Sequence, residues 1–180
     1  MVIGIVGADD RAVAIARLLR RCGHTITFSD PRDTTKAERA AAALNDGTLA
    51  DTAYNQAATS QALLMVVHWE DLDLTLASIG DYKDGLVIDA IRVPPLTGED
   101  NGAQRLAKKL DNRHVVKAFV EPPDPKTPVQ VAANDPEARQ AVCEMIEACG
   151  GTAIDLGPLS EATRIEKQFA AETKSVRGTV

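Results

Sequence analysis

The stretch VIGIVGADDRAVAIARLLRRCGHTITFSD, residues 2–30, decides the fold class. Val2 to Val6 is a short apolar run closed by Gly7, and behind it Ala12, Val13, Ala16, Leu18 and Leu19 recur at helical spacing. Gly23 stops that helix, and HTITF (24–28) alternates β-branched and aromatic residues before SDP (29–31) ends the run. The pattern is strand, turn, helix, strand. A unit of this kind is complete by Phe28 and predicts parallel strands joined by a helical crossover.

The same alternation continues along the 180 residues. An alanine-rich helix is predicted over about 34–44, a polar segment holds Gly47, and a short helix covers 54–59. Strand ALLMVVH (62–68), a helix over about 70–79 and strand GLVIDA (85–90) follow. The second half supplies helix NGAQRLAKKL (101–110), strand HVVKAFV (114–120), the Pro-rich loop EPPDPKTP (121–128) and strand VQVAA (129–133). Helix DPEARQAVCEMIEAC (135–149), with an N-cap acid and Pro at its first position, leads to strand TAIDLG (152–157). A last helix from about Ser160 ends in a polar tail, KSVRGTV (174–180), expected to fray. Continuous apolar strands between helices are what a parallel sheet buried on both faces requires. The expected class is α/β, with one doubly wound, mostly parallel sheet, helices on both faces, a single domain over 1–180 and a short C-terminal helix and tail.

Composition narrows the function. Twenty basic residues against 26 acidic ones leave a net charge of −6, and no block of Lys or Arg offers a footprint for nucleic acid or an anionic membrane. Apolar runs such as ALLMVV are too short to span a bilayer, and the N-terminus has neither the charged flank nor the cleavage site of a signal peptide. A cytoplasmic protein without nucleic-acid or membrane partners is expected. Cys22, Cys143 and Cys149 are odd in number and form no C-x-x-C pair, so they are expected to be three buried thiols and neither a disulfide nor a zinc site. His24 and His114 have no carboxylate or cysteine at ligand spacing, and no metal is expected.

In a doubly wound sheet ligands bind beyond the carboxyl ends of the strands, near the point where strand order reverses. Five loops should therefore line a site: GADDRA (7–12), SDPR (29–32), HWED (68–71), AIRVPP (90–95) and FVEPP (119–123). A dinucleotide loop of the form G-x-G-x-x-G places Gly7 first, Asp9 at the close-approach position and Ala12 third. A carboxylate beside a pyrophosphate costs on the order of several kcal/mol when unscreened. Asp9 or Asp10 can instead cap the helix, using the N–H groups and dipole end that would otherwise hold phosphate. At the end of the second strand, Asp30 could read the ribose hydroxyls of NAD, while Ser29 and Arg32 could take the 2′-phosphate of NADP; SDPR also reads as an ordinary turn before a helix. His68 and Trp69 follow a buried strand, where they could meet a ligand or close the sheet edge. Arg92 stands at the next strand tip as an anion grip or a solvated charge.

The order of these segments resembles the NADPH-dependent F420 reductases, the coenzyme F420-dependent NADP oxidoreductase family. The resemblance covers nearly the whole chain and is carried by IGIVGA, GHTITFSDPR, VVHWED, GLVIDA, HVVKAF, VAANDPEAR and above all IDLGPLSEATRIE (154–166), similar to that family's DAGPLS signature. It implies a Rossmann-like domain that binds NADP and exchanges hydride with coenzyme F420 or a flavin, the cofactors carrying the chemistry and no general acid or base being demanded. It matches Gly7, Ala8 and Ala12 to the phosphate loop, where the backbone of Ala8, Asp9, Asp10 and Arg11 would hold the pyrophosphate and Arg11 would screen the two acids. It matches Ser29 and Arg32 to the 2′-phosphate loop, Trp69, Ala90, Lys117 and Ala118 to pocket walls, and Gly157, Pro158 and Leu159 to a loop over the second cofactor. Departures fall at Asp9, His68, Ile91-Arg92-Val93 and Val120. The resemblance leaves room for a homodimer. It also leaves room for a non-catalytic binding protein whose phosphate loop has lost its dinucleotide.

Overall fold

The computed structural model describes residues 1–124 and 126–177, with side chains placed as far as Phe169. Its strands are β1 (Val2–Val6), β2 (Thr25–Ser29), β3 (Leu49–Ala50), β4 (Ala62–Met65), β5 (Leu86–Asp89), β6 (Val115–Lys117), β7 (Val129–Ala133) and β8 (Ala153–Asp155). Between and after them lie α1 (Asp10–Arg21), α2 (Thr34–Ala42), α3 (Ala53–Thr59), α4 (Leu72–Ile79), α5 (Gly102–Leu110), α6 (Pro136–Ala148) and α7 (Ala162–Arg177). All eight strands share one sheet in the order β3-β2-β1-β4-β5-β6-β7-β8. Pairing is parallel from β3 through β6, antiparallel between β6 and β7, and parallel again between β7 and β8. This is the doubly wound, mostly parallel Rossmann-like fold. Strand order reverses at β1, whose Val6 pairs with Ser29 on one side and Met65 on the other, so the carboxyl ends of β1, β2 and β4 meet at one rim.

The apolar runs are continuous because each strand feeds two cores. In β4, Ala62 and Leu64 join the cluster of Ile3, Ile5, Ile15, Phe28 and Ile146 on the α1, α2 and α6 face. Leu63 and Met65 join Val6, Ile79, Val87 and Leu106 on the face covered by α3, α4 and α5. Strand pleating sends neighbours to opposite sides, so a buried parallel strand has no polar alternation to show.

Several boundaries differ from those expected. The polar segment around Gly47 ends in β3, two residues paired with Thr27 and Phe28, too short for a periodic signal. The helix predicted from 70 begins with a 3₁₀ turn over Trp69–Asp71. Strand β6 stops at Lys117, short of Val120, because Phe119 turns the chain with a φ of 55°, in the left-handed region. The tail expected to fray is helical in α7 as far as Arg177, and its remainder, 178–180, lies outside the described residues. Among the described residues no helix is long and apolar enough to cross a membrane.

The cysteine expectation is corrected. Cys22 and Cys149 form a disulfide with their Cα atoms 5.3 Å apart, and Cys143 alone is a buried free thiol. The two partners are the C-cap residues of α1 and α6, helices packed on the same face of the sheet. Their separation of 127 residues gives the sequence no spacing pattern to read. Thiol titration of the denatured, unreduced protein should find one reactive cysteine, and three after reduction. Three before reduction would show that the pair is not oxidised.

Candidate functional site

A cavity of about 510 Å³ opens at the rim where β1, β2 and β4 end. Its wall is formed by Gly7 to Asp10, Asp30 to Arg32 with Lys36, Val66 to His68, and Asp71 with Thr75. Gly7 turns the chain from β1 into α1 with a φ of 108°, and a Cβ there would stand 2.3 Å from the Val66 carbonyl oxygen. No side chain fits that contact. The Gly7 N–H donates to the Ser29 carbonyl at 2.8 Å, which ties the turn to β2.

Asp9 is the N-cap of α1, its Oδ1 accepting the Ala12 N–H at 2.8 Å. The carboxylate thus satisfies the third N–H of the helix. Those of Asp10 and Arg11, the first two, have no carbonyl four residues back within the helix and stand at its positive end. Asp10 is exposed in the first turn.

The loop after β2 is braced by Asp30, whose Oδ1 accepts the N–H of Arg32 at 3.0 Å and of Asp33 at 3.1 Å. Arg32 is exposed and its guanidinium pairs with Asp71 across the cavity. Ser29 lies beneath: buried, with its hydroxyl donating to Gln56 Oε1 at 3.0 Å, it is engaged in the core and offers no exposed surface for the 2′-phosphate role expected of it. Lys36, which the motif reading passed over, lines the cavity from the first turn of α2. Its signal was available, because the helix following β2 starts at the carboxyl rim and its first turn must face it. Asp71 belongs to the HWED loop expected at the rim, whereas Thr75, one turn into α4, had no comparable mark.

The other expected residues gather elsewhere. His68 lines the cavity and is bridged to Arg92 through the backbone, whereas Trp69 packs half-buried against the second core cluster. Ala90, Arg92 and Lys117 do not form this cavity's wall. Lys117 is fully buried, with Nζ 2.7 Å from the Ile91 carbonyl, 3.1 Å from Asp89 and 3.7 Å from Glu166. It is a prop under the rim and has no surface to offer a ligand, which corrects the pocket-wall role. Glu166 in turn accepts the N–H groups of Gly102 at 3.0 Å and Ala103 at 3.2 Å, fastening α7 to the start of α5. The GPLS loop serves the same joint: Asn101 Nδ2 donates to the Leu159 carbonyl at 2.9 Å, and Leu159 is buried.

At the far side of the rim, Arg11 is only 6 % exposed. Its Nη1 donates to the Ala90 carbonyl and, at 3.0 Å, to the Val120 carbonyl, while Nη2 lies 3.7 Å from Asp9. Burial pushes the guanidinium pKa down, and the Asp9 charge opposes this. The Arg92 Nε donates to the same Val120 carbonyl at 3.2 Å, its Nη2 meets Glu121 at 2.8 Å, and its guanidinium covers the Phe169 ring at 4.8 Å.

The family model for coenzyme F420-dependent NADP oxidoreductases matches residues 2–92, from β1 through the end of β5 to Arg92. The chain belongs to that family. Members of this oxidoreductase family use NADP, and the matched half contains every residue of the cavity wall. A provisionally assigned F420-dependent NADP-reductase from Arthrobacter sp. FB24 has the same fold, with a TM-score of 0.83 at 18 % identity over 98 % of this chain and 95 % of that one. The reductive aminase of Aspergillus terreus, solved with NADPH and ethyl levulinate, superposes with a TM-score of 0.73 at 18 % identity, over 98 % of this chain and 62 % of its own. Rat metalloreductase STEAP3 (Rattus norvegicus) is 25 % identical over 177 residues, 91 % of this oxidoreductase-family chain and 35 % of the metalloreductase. The chain thus spans about a third of that relative's length.

Proposed function

We propose that the cavity holds NADP(H), and that hydride passes between its nicotinamide and coenzyme F420 or a flavin. The observation that carries this reading is the pairing of a helix N-terminus behind the close-packed Gly7 turn with two cations, Arg32 and Lys36, on the same cavity wall. The volume lies within the roughly 300–1,000 Å³ range of small-molecule sites. Free N–H groups at the start of α1 suit the pyrophosphate, and Arg32 with Lys36 suits a 2′-phosphate. Asp30 holds its own loop through Oδ1 alone, and the preference for NADP over NAD rests on the two cations, Arg32 and Lys36. When bound, NADP supplies the hydride chemistry. The chain's own part is to bind and orient: Arg32 leaves Asp71 for the phosphate, and Arg11 offsets the charge of Asp9.

Titration with NADPH and NADH tests this by calorimetry or melting temperature, since saturation at a hundred times the dissociation constant adds about 2.7 kcal/mol. Arg32→Ala and Lys36→Ala should each weaken NADPH by about tenfold and leave NADH within about twofold, the scale of one charged hydrogen bond. Equal losses for both nucleotides would remove these residues from the 2′-phosphate, and no stabilisation by NADPH would overturn the reading. The capped, Asp9-filled helix start favours a second reading, a nucleotide-binding protein without turnover. NADPH binding with no oxidation in the presence of F420 or FMN would select it.

A further inference from the structure

A dinucleotide in a doubly wound sheet crosses the switch point, one nucleotide over each half of the sheet. The cavity accounts for the half over β1 and β2, where Arg32 and Lys36 stand. The other half must lie beyond it, over the tips of β5 and β6. That ground is taken by a side chain of the protein itself. Arg11 leaves the phosphate loop, and its Nη1 donates to both the Ala90 carbonyl past β5 and the Val120 carbonyl past β6. A carboxamide NH₂ is a donor of the same kind as a guanidinium NH₂, so a nicotinamide would compete for these acceptors atom for atom.

We propose that Arg11 is a specificity-determining plug: it occupies the carbonyls that a nicotinamide would use, so that the chain takes the 2′-phosphoadenosine half of NADP directly and the nicotinamide half only as Arg11 withdraws. The inference rests on the cavity being an NADP site. Two features fit a side chain that can leave. Its Nε is buried with no hydrogen-bond partner among the described residues, so the plugged state is incompletely satisfied. Its ion-pair partner, Asp9 at 3.7 Å, lies toward the phosphate loop and is 42 % exposed, with Glu121 and Asp89 acting on the guanidinium more weakly. Withdrawal in that direction takes the guanidinium toward Asp9 and solvent. A ligand whose competent state is only partly populated binds more weakly by that fraction, and this penalty falls on the nicotinamide half alone.

The test is calorimetric titration of the full chain and of Arg11→Met with NADPH and with adenosine 2′,5′-bisphosphate, which has no nicotinamide. The unaltered protein should bind the two within about tenfold of each other, and a larger preference for NADPH would overturn the plug. Arg11→Met should tighten NADPH by about tenfold while the bisphosphate changes by less than about threefold. Equal changes in both, or none, would overturn it. The comparison on the unaltered protein keeps the proposal falsifiable should Arg11→Met fail to fold. If the unaltered protein binds neither compound, the NADP reading falls and the plug with it; a strong preference for NADPH sinks the plug alone.

Discussion

Replacing Gly7 by alanine is expected to lower the melting temperature by about 10 °C and to remove nucleotide binding, the thermal part following from about 3 kcal/mol spread over a chain of this length. Two costs combine. The φ of 108° is one that an L side chain rarely adopts, and the new Cβ would stand 2.3 Å from the Val66 oxygen and 2.7 Å from its carbon. Left-handed backbone alone costs roughly 1–2 kcal/mol, and overpacking against main chain adds roughly 1–3 kcal/mol. The backbone just past β4 cannot yield as a flexible side-chain tip would, because Val66 N–H is itself bonded to the Val6 carbonyl at 2.8 Å. Gly23 is the control: its φ is 84° but nothing lies within 4 Å of its virtual Cβ. Gly23→Ala should lose only the conformational part, about 1 kcal/mol. Equal melting losses in the two variants would show that the contact with Val66 is not what confines Gly7.

Lys117→Met should be as damaging, about 3–5 kcal/mol, because it leaves Asp89 as a buried charge without its nearest cation. Asp89 is only 1 % exposed and its Oδ1 already accepts the Ile91 N–H at 2.9 Å, so it has little access to water. The diagnostic is the double variant. Lys117→Met with Asp89→Asn removes both charges while an amide oxygen can still accept from Ile91, and should be more stable than Lys117→Met alone. Urea unfolding of the two variants checks this. If the second substitution only adds to the loss, the ion pair is not the source of the first.

These two positions show what could be read in advance. Gly7 was legible because a glycine ending an apolar strand before a helix has a stereochemical reason that any sequence displays. Arg32 was legible because its loop must lie at the carboxyl rim. Lys117 was not. The resemblance put it at the pocket wall, but a three-residue strand buried on both faces gives no sign of which way a lysine points, and its partner Glu166 lies 49 positions away by sequence number. Arg11 and Ser29 stand at the carboxyl rim, but their side chains go to carbonyls and an amide that only the folded sheet brings near. The disulfide was invisible for the same reason: contacts between the ends of two helices leave no local period.

The sheet also sets an order of events for a chain made from its N-terminus. The first of these strands to be made, β1, becomes an interior strand, and after pairing with β2 it keeps an open edge until Ala62 to Met65 arrive. That apolar edge is the stage most exposed to wrong pairing. Once it closes, little remains to be added to the cavity, since its wall runs from Gly7 to Thr75. The cavity can therefore be finished while β6, β7, β8 and α7 are still unmade, and a nucleotide bound there as proposed would steady the half-built sheet as the rest of the chain appears.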